Sequence, residues 1–361
     1  MPERVFNFSA GPAVMPLPVL EEAQRELVAL PGVGSSVMEL SHRGKTYMDI
    51  HADAKARLVS LLNIPDTHEV LFLQGGSRLQ FSMIPMNLLK GTDKTADYVL
   101  TGSWGKKALE EAVKEGKTNV AWDGKPSNYN NLPSQSELKL TSDAAYVHIT
   151  SNETIQGVQF QSEPDVSNVP LVADLSSDFL SRPVDVSKYG IIYACAQKNA
   201  GPAGVTVVII RKDLMEHASS DLPGYMVYRN HAENDSMWNT PPTFGIYLLG
   251  LVCKWLQEDF GSLEKIQAQN EAKAQLLYDA IDQSGGYYIG HAVPEVRSKM
   301  NVTFKLGDDE SDKKFLAAAN EIGLTQLGGH RSVGGVRASI YNAMPVEGVE
   351  KLRDFMLDFK K

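Results

Sequence analysis

A single lysine, Lys198, lies between two apolar segments that are typical of buried strands, YGIIYAC before it and VTVVII after it. A lysine amine can bond covalently to a carbonyl compound. A carboxylate, Asp174, follows the preceding apolar segment PLVA. Taken alone, Lys198 reads as a solvated residue at a strand end and Asp174 as a helix cap. The case for chemistry therefore depends on which residues end the neighbouring strands.

Other apolar segments are followed by residues suited to an anionic aromatic cofactor. VLFLQ precedes a Gly-Gly turn with Ser77 and Arg78, VLTG precedes Trp104, YVHIT precedes Thr154, and Gln197 adjoins the lysine. Ligands of open parallel sheets bind beyond the carboxyl ends of strands. Pyridoxal 5'-phosphate needs a helix N-terminus for its phosphate, a carboxylate for its ring nitrogen, an aromatic stacking partner, a donor to its phenolic oxygen and a lysine for its aldehyde. The set predicts a pyridoxal-phosphate site.

The elements that must position these residues alternate along the chain. Short apolar segments alternate with amphipathic helical patterns, which predicts an α/β fold with a mostly parallel sheet and helices on both faces. From Phe244 onward the pattern changes to long helices followed by a smaller α/β region. We therefore expect a large cofactor-binding domain over residues 16–260 and a small domain formed by residues 1–15 with 261–361.

Composition excludes several classes of protein. The net charge of −9 and the absence of a basic cluster argue against nucleic acid as a partner. No apolar run is long enough for a membrane span and no signal peptide is visible, so we expect a cytoplasmic protein. Two cysteines in apolar surroundings, Cys195 and Cys253, favour a reducing compartment over a disulfide framework. The eight histidines lack zinc-site spacing, so no metal is expected.

Motifs of other enzyme classes are incomplete. The Gly-Lys-Thr at 44–46 lacks the earlier glycine of a phosphate-binding P-loop, because position 39 is Glu39. No GxGxxG follows a strand, and the Gly-Gly-Ser at 75–77 lacks the closing glycine of a nucleophile elbow. Nucleotide-dependent and serine-hydrolase chemistry are therefore not predicted.

The chain resembles the class V, fold-type I pyridoxal-phosphate aminotransferases, and within them the phosphoserine aminotransferase family. The resemblance spans the chain in the segments NFSAGPAVMP, ELSHRGK, GGSR, GSWG, SNETIQGVQF, ADLSSDFLSRP, AQKNAGPAG, WNTPPTF and GGHRSVGGVRASIYNAMP. Two positions depart from the family pattern. Ser77 stands where glycine or alanine is common, and Leu175 where phenylalanine is expected. Neither position carries a required chemical group.

The resemblance implies a reaction. The enzyme would transfer the amino group of L-glutamate to 3-phosphohydroxypyruvate, giving O-phospho-L-serine and 2-oxoglutarate in serine biosynthesis. It would also handle the 4-phosphohydroxy-L-threonine step of pyridoxine biosynthesis. A homodimer with shared active sites is implied as well.

The same resemblance assigns roles to residues of this chain. Lys198 would hold the cofactor and shuttle a proton between the substrate Cα and the cofactor, and Asp174 would pair with the ring nitrogen. Trp104 would stack on the ring and Thr154 would bond its phenolic oxygen. The cofactor phosphate would be bound by Ser77, Arg78 and Gln197 and, from a second copy of the chain, by Asn239 and Thr240.

Substrates with two anionic ends need two sets of cations. An α-carboxylate suits a bidentate arginine, and Arg337 is the candidate by resemblance. Taken singly, the pairs His42–Arg43 and His330–Arg331 read as solvated surface charge. Two such pairs in an acidic chain indicate a pocket for the distal phosphate or γ-carboxylate. Ser9 is expected to assist at the carboxylate.

Three alternatives stay open at this point. One is another class V aminotransferase, such as the alanine–glyoxylate type, although an uncharged substrate would not need both His-Arg pairs. A cysteine desulfurase needs a reactive cysteine on a late loop, and no cysteine follows Cys253. A non-catalytic anion-binding protein of the same fold would not need Lys198, Asp174 and Trp104.

Overall fold

The structure is a computed structural model that describes residues 4–360. Its helices are α1 (Leu17–Glu26), α2 (Lys45–Leu62), α3 (Gly76–Leu88), α4 (Ser103–Ala112), α5 (Ala196–Asn199), α6 (Tyr228–Glu233), α7 (Thr243–Trp255), α8 (Leu263–Asp282), α9 (Asp309–Glu321) and α10 (Val346–Phe359). Within residues 4–360, no helix combines the length and the apolarity that a membrane crossing requires.

The strands follow the predicted alternation. They are β1 (Phe6–Asn7), β2 (His68–Leu73), β3 (Thr95–Leu100), β4 (Lys117–Asp123), β5 (Tyr146–Thr150), β6 (Asn152–Glu153), β7 (Val158–Gln159), β8 (Leu171–Asp174), β9 (Tyr189–Cys195), β10 (Thr206–Arg211), β11 (Ile289–Gly290), β12 (Asn301–Lys305), β13 (Leu324–Thr325) and β14 (Val336–Ser339). The sequence patterns predicted the longer strands but missed β4 and the two-residue strands β1, β6, β7 and β11.

A seven-stranded sheet forms the centre of the larger part of the molecule. Its strand order is β2-β10-β9-β8-β5-β3-β4. All neighbouring pairs are parallel except those of β10, which runs antiparallel to both β2 and β9. The α/β fold with a mostly parallel sheet is therefore confirmed, with one reversed strand. That reversal returns the chain directly after the segment that carries Lys198.

Both faces of this sheet are buried, which explains the continuous apolar runs. In β2, Val70 and Phe72 belong to one apolar cluster with residues of α1, α2 and α7. Leu71 and Leu73 point the other way, into a second cluster with residues of α3 and α4. Every residue of β9 is buried. Strands covered on both sides read as unbroken hydrophobic segments rather than alternating ones.

The carboxyl-terminal part has its own core. Strands β11, β12 and β14 form an antiparallel sheet, and residues of α8, α9 and α10 pack with it in a third apolar cluster. Phe8 joins this cluster, and β1 pairs with β13 so that Phe6 lies opposite Leu324. Strand β1 and Phe8 therefore contact the carboxyl-terminal part, the smaller unit, and the assignment of residues 1–15 to a small domain stays a prediction. The boundary near residue 260 stays a prediction.

Buried amides join the two units beside the predicted site. Asn152 donates from Nδ2 to Oδ1 of Asn301 over 2.8 Å. The backbone amide of Asn342 donates to Oδ1 of Asn199 over 2.8 Å. Buried hydrogen bonds of this kind specify one orientation, because breaking any of them leaves an unsatisfied polar group. The smaller unit is held against the carboxyl ends of the sheet strands.

Candidate active site

A cavity of about 400 Å³ lies where the carboxyl ends of β2, β8 and β9 meet the smaller unit. A volume in this range suits a small-molecule ligand. Nine of the residues predicted for the site line it: Ser77, Arg78, Trp104, Thr154, Asp174, Gln197, Lys198, His330 and Arg337. Side chains from distant parts of the sequence therefore converge as expected from the strand ends.

Lys198 lies in α5, one short turn after β9. Its Nζ donates to Oγ1 of Thr154 over 2.7 Å and lies 5.5 Å from the centroid of the Trp104 ring. The turn is closed behind it, because the amide of Ala196 donates to the carbonyl of Val205 over 3.0 Å. The backbone of the lysine is therefore fixed on both sides, and only its four-carbon stem is free to move its amine.

Asp174 ends β8 and is buried in the cavity wall. Its Oδ1 accepts a hydrogen bond from the backbone amide of Ser176 over 2.8 Å. Burial raises the pKa of Asp174, while the positive charge of Lys198 favours the ionised carboxylate. A buried carboxylate gains most from a cationic partner at hydrogen-bond distance. A protonated ring nitrogen would be such a partner.

The glycine turn after β2 forms the start of α3. Gly75 has φ of 84°, and a side chain there would come within 2.6 Å of the next helical turn. Ser77 follows, but its hydroxyl is within 3.0 Å of Oγ of Ser176 and 2.9 Å of Sγ of Cys195. Ser77 is therefore bonded towards the Asp174 side of the cavity. Whether it also binds a phosphate stays a prediction.

Trp104 is the second residue of α4 and faces the cavity. Its indole Nε1 is buried and has no hydrogen-bond partner. Nζ of Lys107, one turn along the helix, lies 4.2 Å from the centroid of its ring. An indole donor left without a partner at a cavity wall fits a site that a polar ligand completes. Together with Asp174, Thr154 and Lys198, this set fits pyridoxal phosphate.

Basic side chains that form no ion pair surround the outer end of the cavity. Burial lowers the pKa of Arg337, whose buried Nε has no hydrogen-bond partner. Burial and the neighbouring charge of Arg337 lower the pKa of His330. Burial and the charge of Arg78 lower the pKa of Lys107, and Arg331 adds to the positive potential at Lys107 and His330. None of these five side chains forms an ion pair within residues 4–360.

Six predicted residues do not line the cavity of their own chain: Ser9, His42, Arg43, Arg331, Asn239 and Thr240. Ser9 lies beside the lining, where its hydroxyl accepts from the amide of Gly11 over 3.4 Å. Arg331 is exposed directly after His330. Asn239 and Thr240 are exposed as well, and the pair at 42–43 precedes α2. The roles of all six stay predictions, and those of Asn239 and Thr240 depend on a second copy of the chain.

Two residues close to the site escaped the sequence analysis. Lys107 follows Trp104 by three positions, a spacing that places both on one helix face. Glu153 precedes Thr154 and is fully buried. The three-residue spacing from Trp104 could have indicated Lys107. Nothing in the sequence marked Glu153 as buried, because β6–β7 is short and polar.

The chain belongs to the class-V aminotransferase family, whose pattern it matches over residues 5–352. It is a pyridoxal-phosphate-dependent transaminase of fold type I. Phosphoserine aminotransferase of Rhodopirellula baltica is 58% identical over 359 residues, covering 99% of this chain and 96% of the relative. The enzyme of that name from Lysinibacillus sphaericus is 53% identical over 361 residues, covering 100% of this chain and 99% of the relative.

Solved structures agree with the fold. Phosphoserine aminotransferase from Bacillus circulans subsp. alkalophilus superposes with a TM-score of 0.97 at 53% identity, covering 99% of this chain and 98% of that one. The pyridoxal-phosphate-bound enzyme from Trichomonas vaginalis has a TM-score of 0.93 at 43% identity, covering 98% and 100%. Alanine–glyoxylate aminotransferase from Nostoc has a TM-score of 0.77 at 14% identity, covering 100% and 96%, which shows a shared fold alone.

Proposed function

We propose that this transaminase exchanges amino groups between L-glutamate and 3-phosphohydroxypyruvate, giving O-phospho-L-serine and 2-oxoglutarate in serine biosynthesis. The observation that carries the proposal is the group of unpaired cations at the outer end of the cavity. An acidic chain with net charge −9 has carboxylates in excess, so leaving several cations without counter-ions favours an anionic substrate. The phosphoserine aminotransferases at 58% and 53% identity support the same substrate class.

The inner end of the cavity would hold the cofactor. Lys198 would bond its aldehyde carbon, Asp174 its ring nitrogen, Trp104 its ring face and Thr154 its phenolic oxygen. When bound, pyridoxal phosphate supplies an electron sink that stabilises negative charge on the substrate carbon. Asp174 keeps the ring nitrogen protonated, because a buried carboxylate is most stable beside a cation. Ser77, Arg78 and Gln197 would bind its phosphate at the start of α3.

Proton transfer falls to Lys198. As an amine on a flexible stem whose backbone is fixed, Nζ would act as the base that takes the proton from the substrate Cα and delivers it to the cofactor. The hydroxyl of Thr154, 2.7 Å from Nζ, holds the amine in the cavity.

The outer end would select the substrate. Arg337 presents a planar fork with a free buried Nε, which suits the α-carboxylate that both substrates carry. His330, Arg331 and Lys107 would bind the distal phosphate or the γ-carboxylate. 4-Phosphohydroxy-L-threonine shares the α-carboxylate and the distal phosphate, so we propose that the enzyme accepts it too, in pyridoxine biosynthesis.

We further propose a homodimer in which each site is completed by the other chain. Large apolar side chains are exposed on this chain, among them Val28 at 85% and Met38 at 59%, and Trp238 beside Asn239 at 44%. A dimer interface would bury such side chains where they lie together. A second chain would bring Asn239 and Thr240 to the cofactor phosphate, and His42 and Arg43 to the substrate phosphate. Two buried free cysteines support a reducing, cytoplasmic location.

A comparison of amino-group acceptors tests the proposed reaction. The purified enzyme, with glutamate as donor, is assayed with four acceptors. They are 3-phosphohydroxypyruvate, the 2-oxo acid that corresponds to 4-phosphohydroxy-L-threonine, unphosphorylated hydroxypyruvate and glyoxylate. We expect kcat/KM for the phosphorylated acids to exceed that for hydroxypyruvate by about two orders of magnitude or more, because the cations would lose their anion. Equal rates with hydroxypyruvate, or a preference for glyoxylate, would contradict the proposal.

Chain mixing tests the shared site. A Lys198→Ala chain and an Asn239→Ala/Thr240→Ala chain, each impaired as a homodimer, are unfolded together and refolded as a mixture. Some heterodimers then contain one site with both an intact lysine and an intact phosphate-binding pair. We expect activity to return in proportion to the heterodimer fraction. Absence of any recovery in refolded mixed dimers would show that each chain completes its own site.

A further inference from the structure

The first turn of α4 is capped by side chains from another element. The helix begins at Ser103 after Gly102, and its first turn contains no acidic residue. Amides in the first turn of a helix have no partner within the helix. Here the amides of Ser103, Trp104 and Gly105 are all bound by side chains of the hairpin β6–β7 and its turn. The start of α4 is therefore positioned by the hairpin.

Glu153 makes the closest of these contacts. Its Oε2 accepts from the amide of Trp104 over 3.2 Å, and its Oε1 accepts from the amide of Gly105 over 3.1 Å. Gln156 completes the set. Its Oε1 accepts from the backbone amide of Ser103 over 3.4 Å, and its Nε2 donates to the hydroxyl of the same serine over 3.0 Å. Bidentate acceptance by one carboxylate fixes both the distance and the rotation of the helix end.

We propose that Glu153 is a positioning residue for the transamination, and that its carboxylate sets the Trp104 ring against the cofactor in register with Thr154. The inference rests on the proposed placement of the cofactor beside Trp104. Thr154 follows Glu153 directly in the chain and accepts a hydrogen bond from Lys198. One residue thus connects the element that carries the ring's stacking partner to the element that holds the lysine.

The packing around Gly102 shows how closely the carboxylate is fitted. A Cβ atom on Gly102 would overlap Cδ of Glu153 and would lie 2.6 Å from Oε1 of Gln156. A Cβ atom on Gly105 would have its nearest neighbours at 3.5 Å, an ordinary contact. Alanine at Gly102 therefore displaces Glu153 without removing its charge, whereas alanine at Gly105 leaves it in place. The two glycines form a matched pair for a test.

The ionisation of Glu153 gives the contact a pH dependence. Burial raises the pKa of Glu153 to about 7, and the amides of Gly105 and Trp104 oppose this rise. Asp174 disfavours the ionised form and Lys198 favours it, and the carboxylate also faces Lys107 and Tyr129. Protonation turns one acceptor oxygen into a donor, so the bidentate contact is lost as the pH falls through this range.

A purely structural role does not explain an ionisable group at this position. A carboxyl whose pKa is raised by folding contributes its stability below its unfolded pKa and loses it as the pH rises through the folded value. Ionised Glu153 therefore makes the fold less stable above about pH 7, where its two-fold acceptance is complete. Glutamine of the same shape would avoid that loss but would accept on one side only.

The test uses the cofactor-loaded enzyme and needs no turnover. For each variant, the dissociation constant of pyridoxal phosphate is measured, together with the ratio of visible circular dichroism to absorbance of the bound cofactor as a function of pH. Asp178→Asn is the control for loss of a buried carboxylate, because Asp178 accepts from Ser151 and Gln159 at the base of the same hairpin.

We expect Glu153→Gln and Gly102→Ala to raise the cofactor dissociation constant by about tenfold or more, because a buried amide loses its acceptor. Both should lower the dichroism ratio. The ratio of the unaltered enzyme should fall as the pH drops below about 7, and that of Glu153→Gln should not depend on pH in this range. Gly105→Ala and Asp178→Asn should keep the affinity and the pH profile of the unaltered enzyme.

The outcomes separate the inference from the proposed function. Unaltered affinity and pH profile in Glu153→Gln, or equal losses in Asp178→Asn, overturn the inference. If Glu153→Gln does not fold, equal behaviour of Gly102→Ala and Gly105→Ala overturns it instead. Trp104→Ala is the reference. If it changes the ratio while Glu153→Gln does not, only the inference fails, and if it changes nothing, the placement of the cofactor against Trp104 fails with it.

Discussion

The inner and outer ends of the cavity treat charge in opposite ways. At the inner end, Asp174 and Lys198 are hydrogen-bonded to Ser176 and Thr154 inside the protein. At the outer end, Arg337 has a buried Nε without a partner. The acid and the amine of the inner end are therefore fixed in place, although the indole Nε1 of Trp104 there also lacks a partner, whereas the guanidinium of the outer end keeps a free donor. The difference indicates where a resident cofactor and an exchanging substrate would each bind.

Removing the amine of Lys198 would abolish the chemistry at the inner end of the cavity. For Lys198→Ala we expect kcat to fall by about 10⁴-fold, because one positioned acid–base group contributes up to this factor. The variant should also lose the covalent link to the cofactor, so that borohydride no longer fixes it to the chain. A steady-state assay measures kcat, and mass spectrometry of the borohydride-reduced protein measures the covalent link. A variant that keeps full turnover would show that another group performs the proton transfer.

Removing the guanidinium would impair the outer end for both substrates. For Arg337→Ala we expect a loss of about 1.5–3 kcal/mol in kcat/KM, the range of a charge-assisted hydrogen bond. The loss should be similar for glutamate and for the phosphorylated acid, because both have an α-carboxylate. Arg337→Lys keeps the charge but lacks the fork, and should recover only part of it. Selective loss for one substrate would assign Arg337 to the distal anion instead.

Smaller effects are expected from Arg331, which is exposed, and Lys107, which is half-buried. Arg331→Ala and Lys107→Ala should each raise KM for the phosphorylated acid by about three- to tenfold, because partly solvated charges contribute less. Cofactor affinity should not change. Lys114→Ala, two residues beyond the end of α4, is the control, since Lys114 is exposed and paired with Glu111. If Arg331→Ala and Lys107→Ala also weakened cofactor binding, these two side chains would be assigned to the cofactor instead of the substrate.

The smallest expected effect concerns pH. The pKa of His330 is lowered by burial and by Arg337, so the free imidazole is neutral near pH 7. An anion bound beside it would raise that pKa, and binding would then take up a proton. The affinity for glutamate should therefore rise as the pH falls towards the ordinary histidine value, and His330→Gln should remove this dependence. An unchanged profile in His330→Gln would place the titrating group elsewhere.

Sequence patterns predicted the inner end better than the outer end. Strand periodicity places Asp174 and Lys198 at the ends of adjacent parallel strands, β8 and β9, and the structure confirms that placement. Lys107 was missed because a lysine in an amphipathic helix reads as a solvated residue. Glu153 was missed because its burial depends on the docking of a polar hairpin against another helix. Such tertiary contacts leave no periodic signal in the sequence.

The amino-terminal segment crosses both units within a few residues. Asn7 pairs with Thr325 in the two-stranded β1–β13 sheet, whereas Ala10 and Gly11 line the cavity and the amide of Ala13 donates to the carbonyl of Gln197. A purification tag, a deletion or a proteolytic cut there would alter the wall of the reaction chamber itself.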